Sequence, residues 1–112
     1  MSTDNPGWET TPPDARALLA PFRAQIDALD TRIVALLGER FAVVRQVAAL
    51  KAEHGIPPAL ADRLEEVARR ARAQAEQIGL DPAMVDQIYR VILDTACRLE
   101  ADFTKSDEAA GR

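Results

Sequence analysis

The sequence predicts an all-α protein in which each chain has three helices, the first very long, and two chains form an intertwined helical homodimer. Three observations lead to this prediction. The chain has 112 residues that are rich in helix-forming residues and only 4% aromatic. Apolar side chains recur at steps of three and four along residues 22–50, as on one face of a helix. No segment alternates like a strand or contains a glycine-rich phosphate loop.

The charge and cysteine content exclude several classes of protein. With 14 Lys+Arg against 18 Asp+Glu, the net charge of −4 argues against nucleic-acid binding. Cys97 is the single cysteine and His54 the single histidine, so neither a disulfide nor a metal cage is expected, and we predict no cofactor. No apolar run has membrane-spanning length, and the N-terminus lacks a signal pattern, so we expect a cytoplasmic protein without membrane contacts.

Composition divides the chain into three parts. Residues 1–17, rich in proline and small polar residues, are predicted to be a flexible leader in which Trp8 is a weak docking signal. Residues 18–104 form the predicted helical domain. Residues 105–112 are predicted to be a frayed tail.

The first helix is expected to run from about residue 18 or 21 to about residue 53, before Gly55 and Pro57. Its length of roughly 50 Å exceeds what the rest of the chain can cover, because a compact domain of this size has a radius of gyration of about 13 Å. The helix is therefore expected to pair with a second copy of itself. Its apolar heptad positions are Phe22, Ile26, Leu29, Ile33, Leu36, Val43, Val47 and Leu50.

Two further helices follow. The second is expected from Ala61 or Asp62 to Ile78, with Gly79 as its stop. Asp81 and Pro82 have the chemistry of a helix cap and a first helical residue, and that third helix is expected to reach about Phe103. The positions predicted to face inward are Leu64, Val67, Ala71, Ala75 and Ile78 on the second helix, and Val85, Ile88, Ile92, Ala96, Leu99 and Phe103 on the third.

Arg40 interrupts the apolar face of the first helix. It occupies a heptad position at which an apolar residue is expected, and a guanidinium there is costly unless an anion meets it. Lys51 lies only about 20° around the helix from Arg40 and roughly 16 Å along it. We therefore predict that the two cations hold a small dianion, although a neighbouring acid could also neutralise Arg40.

Arg23, Arg63 and Glu100 are the other candidate site residues. Arg23 lies roughly 25 Å along the helix from Arg40, so the two cannot share a small ligand within one helix. In an antiparallel pair of chains, Arg23 of one chain can approach Arg40 and Lys51 of the other, which predicts a composite site at the interface. Glu100 follows the inward Leu99 and is expected to point inward, either as a functional group or to neutralise Arg40 or Lys51.

At these residues the chain resembles the all-helical chorismate mutase family. The resemblance covers about residues 18–103: FRAQIDALDTRIVALLGERFAVVRQVAALKAEHGIP, an arginine that opens helix two, GLDPAMVDQIYRVIL, and a polar residue late in helix three. It implies a homodimer of three-helix chains, with each active site completed by an arginine from the other chain. The implied reaction converts chorismate, a small dicarboxylate, into prephenate.

The resemblance also implies roles for individual residues. Arg23 corresponds to the donated arginine, and Arg40, Lys51 and Arg63 to the cations that bind the carboxylates and the ether bridge. Lys51 and Glu100 are implied to contact the ether oxygen. Arg40, Lys51 and Glu100 are therefore the expected catalytic residues, and Arg23, Arg40, Lys51 and Arg63 the expected substrate-binding residues.

The sequence departs from this family at two places. Glu100 stands where many bacterial members have glutamine, and a glutamate donates to the ether oxygen only when protonated, so activity is expected to fall as pH rises. Leu60 and Leu64 stand where acidic groups usually meet the 4-hydroxyl of the substrate. Three alternatives remain: a 4-amino-4-deoxychorismate mutase, an isochorismate-pyruvate lyase, and a non-catalytic helical dimer that serves as a scaffold or regulatory module.

Overall fold

The computed structural model describes residues 9–109, and this part of the chain is entirely helical apart from its turns and its first residues. Helix α1 spans Pro13–His54, α2 spans Ala61–Gln77 and α3 spans Pro82–Ala109. The prediction of an all-α chain with three helices is confirmed, while the pairing of two chains stays a prediction. Within the described range, the chain divides into a first compact unit that ends at Leu37 and a second that begins at Gly38.

In the first unit, α1 begins at Pro13 and not at residue 18 or 21, so the predicted helix start was wrong. Pro13 is suited to a first helical position, Asp14 lies in the first turn, and the Arg16 N–H donates to the Pro12 carbonyl at 3.1 Å. Pro21 lies inside the helix without ending it. Trp8 lies outside the described residues, and the division into leader, domain and tail stays a prediction.

The apolar face of α1 in the described part of the first unit is exposed. Half or more of each of five heptad side chains is exposed: Phe22, Ile26, Leu29, Ile33 and Leu36. A row of large apolar residues of this kind is typical of a surface that another helix covers.

In the second unit, two glycines with positive φ end the first two helices. Gly55 has φ +66°, and beyond it the Ile56 N–H donates to the Lys51 carbonyl at 2.9 Å. Gly79 has φ +75°, and the Leu80 N–H donates to the Ala75 carbonyl at 2.9 Å. In both turns the hydrogen bond spans five residues and satisfies a carbonyl of the last helical turn. These turns fix where the chain leaves α1 and enters α2 and α3.

Helix α3 begins as predicted but extends further than predicted. The Asp81 carboxylate accepts a hydrogen bond from the Ala83 N–H at 3.0 Å, and Pro82 is the first helical residue. The helix continues past Phe103 to Ala109, so the predicted end was wrong. The Thr104 hydroxyl donates to the Glu100 carbonyl at 3.1 Å, which lets this polar side chain continue the helix.

The buried apolar residues of the described second unit are all alanines. Alanines at four positions on α2 and α3 are almost completely buried: Ala68, Ala71, Ala75 and Ala96. Their short side chains allow α2 and α3 to approach closely. Ile78, Ile88 and Phe103 were predicted to face inward, but 77%, 49% and 39% of them, respectively, is exposed. The helical period places them on the apolar face, but the described residues leave them partly or largely exposed.

An ion pair between Arg72 and Asp86 links α2 to α3. The Arg72 guanidinium donates to Asp86 at 2.7 Å, and Arg90 donates to the other oxygen of the same carboxylate at 2.7 Å. The hydrogen bond from Arg72, followed by that from Arg90, holds the pKa of Asp86 below its usual value. The carboxylate therefore stabilises the fold above the ordinary pKa of an aspartate, and this contribution is lost as pH falls through the lowered pKa.

Asp86→Asn should accordingly lower the melting temperature by a few degrees at pH 7 and by much less at about pH 2. Asp94→Asn is the matched control, because Asp94 pairs with Arg98 at 2.9 Å on the surface of α3 alone. Thermal unfolding of both variants and the unmodified protein at the two pH values measures the difference. An equal effect of Asp86→Asn at both pH values would contradict this account.

Within residues 9–109, no helix is both long enough and apolar enough to cross a membrane. The cytoplasmic location stays a prediction.

Candidate active site

A cavity of about 380 Å³ lies in the second unit, between the C-terminal part of α1, the turn before α2, the first turns of α2 and the middle of α3. It brings together four of the five candidate residues, Arg40, Lys51, Arg63 and Glu100. Arg23 belongs to the first unit. The remaining lining residues are Val43, Val44, Val47, Pro58, Leu60, Leu64, Val67, Leu93, Ala96 and Cys97.

Arg40 is half-buried and has no acidic partner. Among residues 9–109, no carboxylate lies within ion-pair distance of its guanidinium and no hydrogen bond holds it. The alternative in which a neighbouring acid neutralises Arg40 is therefore not realised in the described chain. A planar guanidinium in an apolar surround can bind a carboxylate through two parallel hydrogen bonds.

Lys51 lies near the C-terminus of α1, where two groups fix its ammonium. Its Nζ donates to the Pro58 carbonyl at 3.0 Å and lies 2.9 Å from Glu100 Oε1. Only 17% of the Lys51 side chain and 9% of the Glu100 side chain is exposed. The turn between α1 and α2 thus holds the lysine against α3, on the wall of the cavity.

Glu100 points inward, as predicted, with 7% of the residue exposed. It meets Lys51, which is one of the two pairings that the sequence left open. The buried Oε1 has no hydrogen-bond partner among the described residues, although the Lys51 ammonium lies 2.9 Å from it. This oxygen can still make a hydrogen bond.

Arg63 lies in the first turn of α2 and is more exposed than Arg40. Its guanidinium pairs with Glu66 one turn along the same helix, and Glu66 also lies 3.5 Å from Arg70. More than half of the Arg63 side chain is exposed, and exposed ion pairs of this kind contribute little free energy. Arg63 can therefore exchange Glu66 for an anion in the cavity at small cost.

The rest of the cavity wall is apolar, and Cys97 adds no charged group to it. Burial, together with the nearby Glu100 carboxylate, raises the pKa of the Cys97 thiol. A neutral thiol is a weak nucleophile. His54, the single histidine, is exposed at the end of α1.

A smaller hollow of about 270 Å³ shares Arg40, Arg63 and Val67 with the main cavity. Gln74 and Tyr89 line it as well, and the sequence analysis missed both. Tyr89 lies between the inward positions Val85 and Ile92 at helical spacing, a signal that could have identified it. The hollow adds hydrogen-bonding groups beside the two arginines.

Arg23 is exposed, and its guanidinium contacts the segment that precedes α1. Its Nη2 donates to the Thr11 hydroxyl at 3.1 Å, and within residues 9–37 no carboxylate lies within ion-pair distance of it. The described part of the first unit, residues 9–37, therefore presents a cation that none of its acidic residues neutralises.

Comparisons with known proteins show what this chain is similar to. The family model described as chorismate mutase type II matches residues 22–101. A 4-amino-4-deoxychorismate mutase from Streptomyces venezuelae is 33% identical over 81% of this chain and 87% of its own length. A protein of the same name from Streptomyces pristinaespiralis is 29% identical over 89% of this chain and 78% of its own length. The T-protein of Enterobacter agglomerans is 28% identical over 77% of this chain. The matched region covers only 23% of the length of that T-protein.

Proposed function

This chain belongs to the chorismate mutase type II family, and we propose that it catalyses the rearrangement of chorismate to prephenate. The observation that supports this proposal most strongly is Arg40, a half-buried guanidinium without an acidic partner that shares one cavity with Lys51 and Arg63. Three cations around an apolar hollow suit a compact dicarboxylate.

The reaction suits a site of this composition. Within one molecule, the bond between the ring carbon and the ether oxygen breaks, while a carbon–carbon bond forms between the enolpyruvyl group and the ring. No nucleophile is required. The site must hold the folded conformer of the substrate and stabilise the negative charge that develops on the ether oxygen.

Each cation then has a task that its position supports. Arg40 and Arg63, which also share the smaller hollow, bind one carboxylate of the substrate. Lys51, fixed by the Pro58 carbonyl and Glu100, faces the ether oxygen and stabilises its charge. Glu100, whose Oε1 pairs with Lys51 but makes no hydrogen bond to the described residues, donates a hydrogen bond to the same ether atom when protonated.

The site is completed by a second copy of the chain. The exposed apolar face of α1 in the first unit supports pairing of two chains. Arg23, which has no acidic partner among residues 9–37, binds the second carboxylate in the active site of the other protomer. A homodimer with two composite sites follows.

A second candidate is the rearrangement of 4-amino-4-deoxychorismate. Two of the similar proteins are named as mutases of that compound, which differs from chorismate only in an amine at the 4-position. An isochorismate-pyruvate lyase remains a prediction from the sequence. Release of pyruvate from isochorismate distinguishes the lyase from both mutases.

The loss of chorismate absorbance, followed at pH 5 and pH 8 for the unmodified protein and Glu100→Gln, tests the proposed function. We expect turnover that falls several-fold from pH 5 to pH 8, because only a protonated carboxyl group can donate a hydrogen bond to the ether oxygen and the carboxylate form cannot. The glutamine variant carries a donor at every pH, so its profile should be flat.

Two results would contradict parts of this proposal. Absence of turnover at both pH values would contradict the mutase activity itself. Turnover with a flat profile in the unmodified protein would leave the activity standing and reassign Glu100 to holding Lys51 in place.

A further inference from the structure

We propose that the smaller hollow beside the active site binds a phosphate-type dianion, and that this anion competes with the substrate of the main cavity. The hollow has a volume of about 270 Å³ and lies in the second unit. Its polar lining residues come from all three helices: Arg40, Arg63, Arg70, Gln74 and Tyr89. Only the competition depends on the proposed function, because an anion can bind in the hollow whether or not the mutase reaction occurs.

The cations of the hollow outnumber the carboxylates that meet them. Arg40 has no acidic partner among residues 9–109. Arg63 and Arg70 share a single carboxylate oxygen, Oε1 of Glu66. No acidic residue of the described chain lines the hollow itself. Three guanidinium groups therefore meet one carboxylate, and an anion with two negative charges would balance the remainder.

The geometry of the donors favours a tetrahedral anion over a single carboxylate. Arg63, Arg70 and Gln74 lie at steps of seven and four on one face of α2. Arg40 belongs to α1 and Tyr89 to α3. One guanidinium binds a planar carboxylate through two parallel hydrogen bonds, whereas a phosphate group presents oxygens in several directions and can accept from more than one arginine. The Tyr89 hydroxyl and the Gln74 amide are neutral donors that add hydrogen bonds without adding charge.

These donors are available to a ligand. Neither Gln74 nor Tyr89 makes a side-chain hydrogen bond to a described residue. More than half of the Arg63 side chain and of the Arg70 side chain is exposed, and Arg70 lies 3.5 Å from its acidic partner. Exposed ion pairs of this kind contribute little free energy, so an anion can replace them at small cost.

Binding in the hollow should oppose binding in the main cavity. The two share Arg40 and Arg63. A guanidinium whose N–H groups hold a phosphate in the hollow has fewer of them left for a substrate carboxylate, and two anions in adjacent cavities repel each other. Phosphate should therefore raise the apparent KM for chorismate and leave kcat unchanged.

Thermal unfolding at pH 8 with increasing inorganic phosphate, at an ionic strength held constant with sodium chloride, tests binding without an activity assay. A ligand of the folded state raises the melting temperature as its concentration rises. Arg70→Gln removes a cation of the hollow, so this variant should need about tenfold more phosphate for the same rise. Arg69→Gln is the matched control, because Arg69 is exposed and lies outside the hollow. Equal rises in the two variants would overturn the inference, because phosphate would then act on the protein surface in general.

Steady-state kinetics at several phosphate concentrations tests the competition. Tyr89→Phe removes one hydroxyl from the hollow, so the inhibition constant of phosphate should rise by about three- to tenfold, while turnover without phosphate should change less than about twofold. An unchanged inhibition constant would assign the inhibition to phosphate in the main cavity and overturn the competition. Absence of turnover without phosphate would contradict the proposed function instead, and the melting temperatures would still decide whether the hollow binds an anion.

Glycerol 2-phosphate, a small phosphomonoester, distinguishes two sources of the dianion in the same thermal experiment. A larger rise with the ester than with inorganic phosphate, dependent on Arg70, would assign the hollow to a phosphomonoester. The reverse order would assign it to free phosphate. If neither compound raised the melting temperature of the unmodified protein more than that of Arg70→Gln, the hollow would not be an anion site.

Discussion

Arg40→Ala should lower kcat/KM for chorismate by a factor of about 10³, the range seen when a preorganised charged or hydrogen-bonding group is removed from an active site. The guanidinium is half-buried in the second unit, lacks an acidic partner and lines both the main cavity and the smaller hollow. The guanidinium can therefore form an ion pair with a carboxylate of the bound substrate. Steady-state kinetics on the purified variant measures the loss.

Arg40→Lys separates charge from geometry. The lysine keeps the positive charge but cannot form two parallel hydrogen bonds to a carboxylate, so we expect a loss of about 10- to 100-fold. Arg45→Ala is the control, because Arg45 is an exposed arginine of the same helix outside the main cavity. Its activity should change less than about twofold.

Arg40→Leu distinguishes an enzyme from a scaffold. A leucine avoids the cost of holding an unpaired guanidinium among apolar side chains, so this variant should unfold at the same denaturant concentration as the unmodified protein or at a higher one. We expect it to be inactive nevertheless. A stable Arg40→Leu protein that retained turnover would show that the site lies elsewhere.

The sequence was sufficient to predict the parts of the site that follow from helical geometry. Arg40 could be identified because it interrupts a regular apolar face, and Lys51 because it projects from almost the same side of the helix. Gly55 and Gly79 marked two helix ends because each stands where the backbone needs a positive φ. Local chemistry decides these features, so no contacts between distant residues are needed to predict them.

Features that depend on contacts between helices could not be predicted in the same way. The sequence left Glu100 free to pair with either Arg40 or Lys51, and only the turn that places Pro58 beside Lys51 distinguishes them. Leu64 was assigned to the inward face of α2 from its period alone. The helical period of apolar residues shows that a side chain faces inward. It does not show whether that side chain packs against another side chain or lines a cavity.

The exposed apolar residues illustrate the same limit. Ile78 and Ile88 match the apolar face by period, but a large part of each is exposed in the described chain. The hydrophobic effect favours burial of such residues. It favours burial against the same chain and burial against another chain equally, so it does not identify the contacting chain. A measurement of the oligomeric state in solution shows whether a second chain buries these residues.

Mixing two inactive variants should restore about a quarter of the activity if Arg23 is donated between protomers. Arg23→Ala and Arg40→Ala are each expected to lose most of their turnover when pure. After joint unfolding and refolding at equal concentrations, about half of the dimers contain one copy of each variant. One of their two sites then receives an intact Arg23 from one chain and an intact Arg40 from the other.

The alternative arrangement predicts a different result. If Arg23 served the site of its own chain, both sites of every mixed dimer would be damaged and no activity would return. A mixture of Arg40→Ala with Lys51→Ala is the matched control, because both residues line the cavity of one unit and each mixed site would lack one of them. Recovery in the first mixture alone requires both a dimer and a shared site, so a single kinetic measurement tests the pairing of chains and the role of Arg23 together.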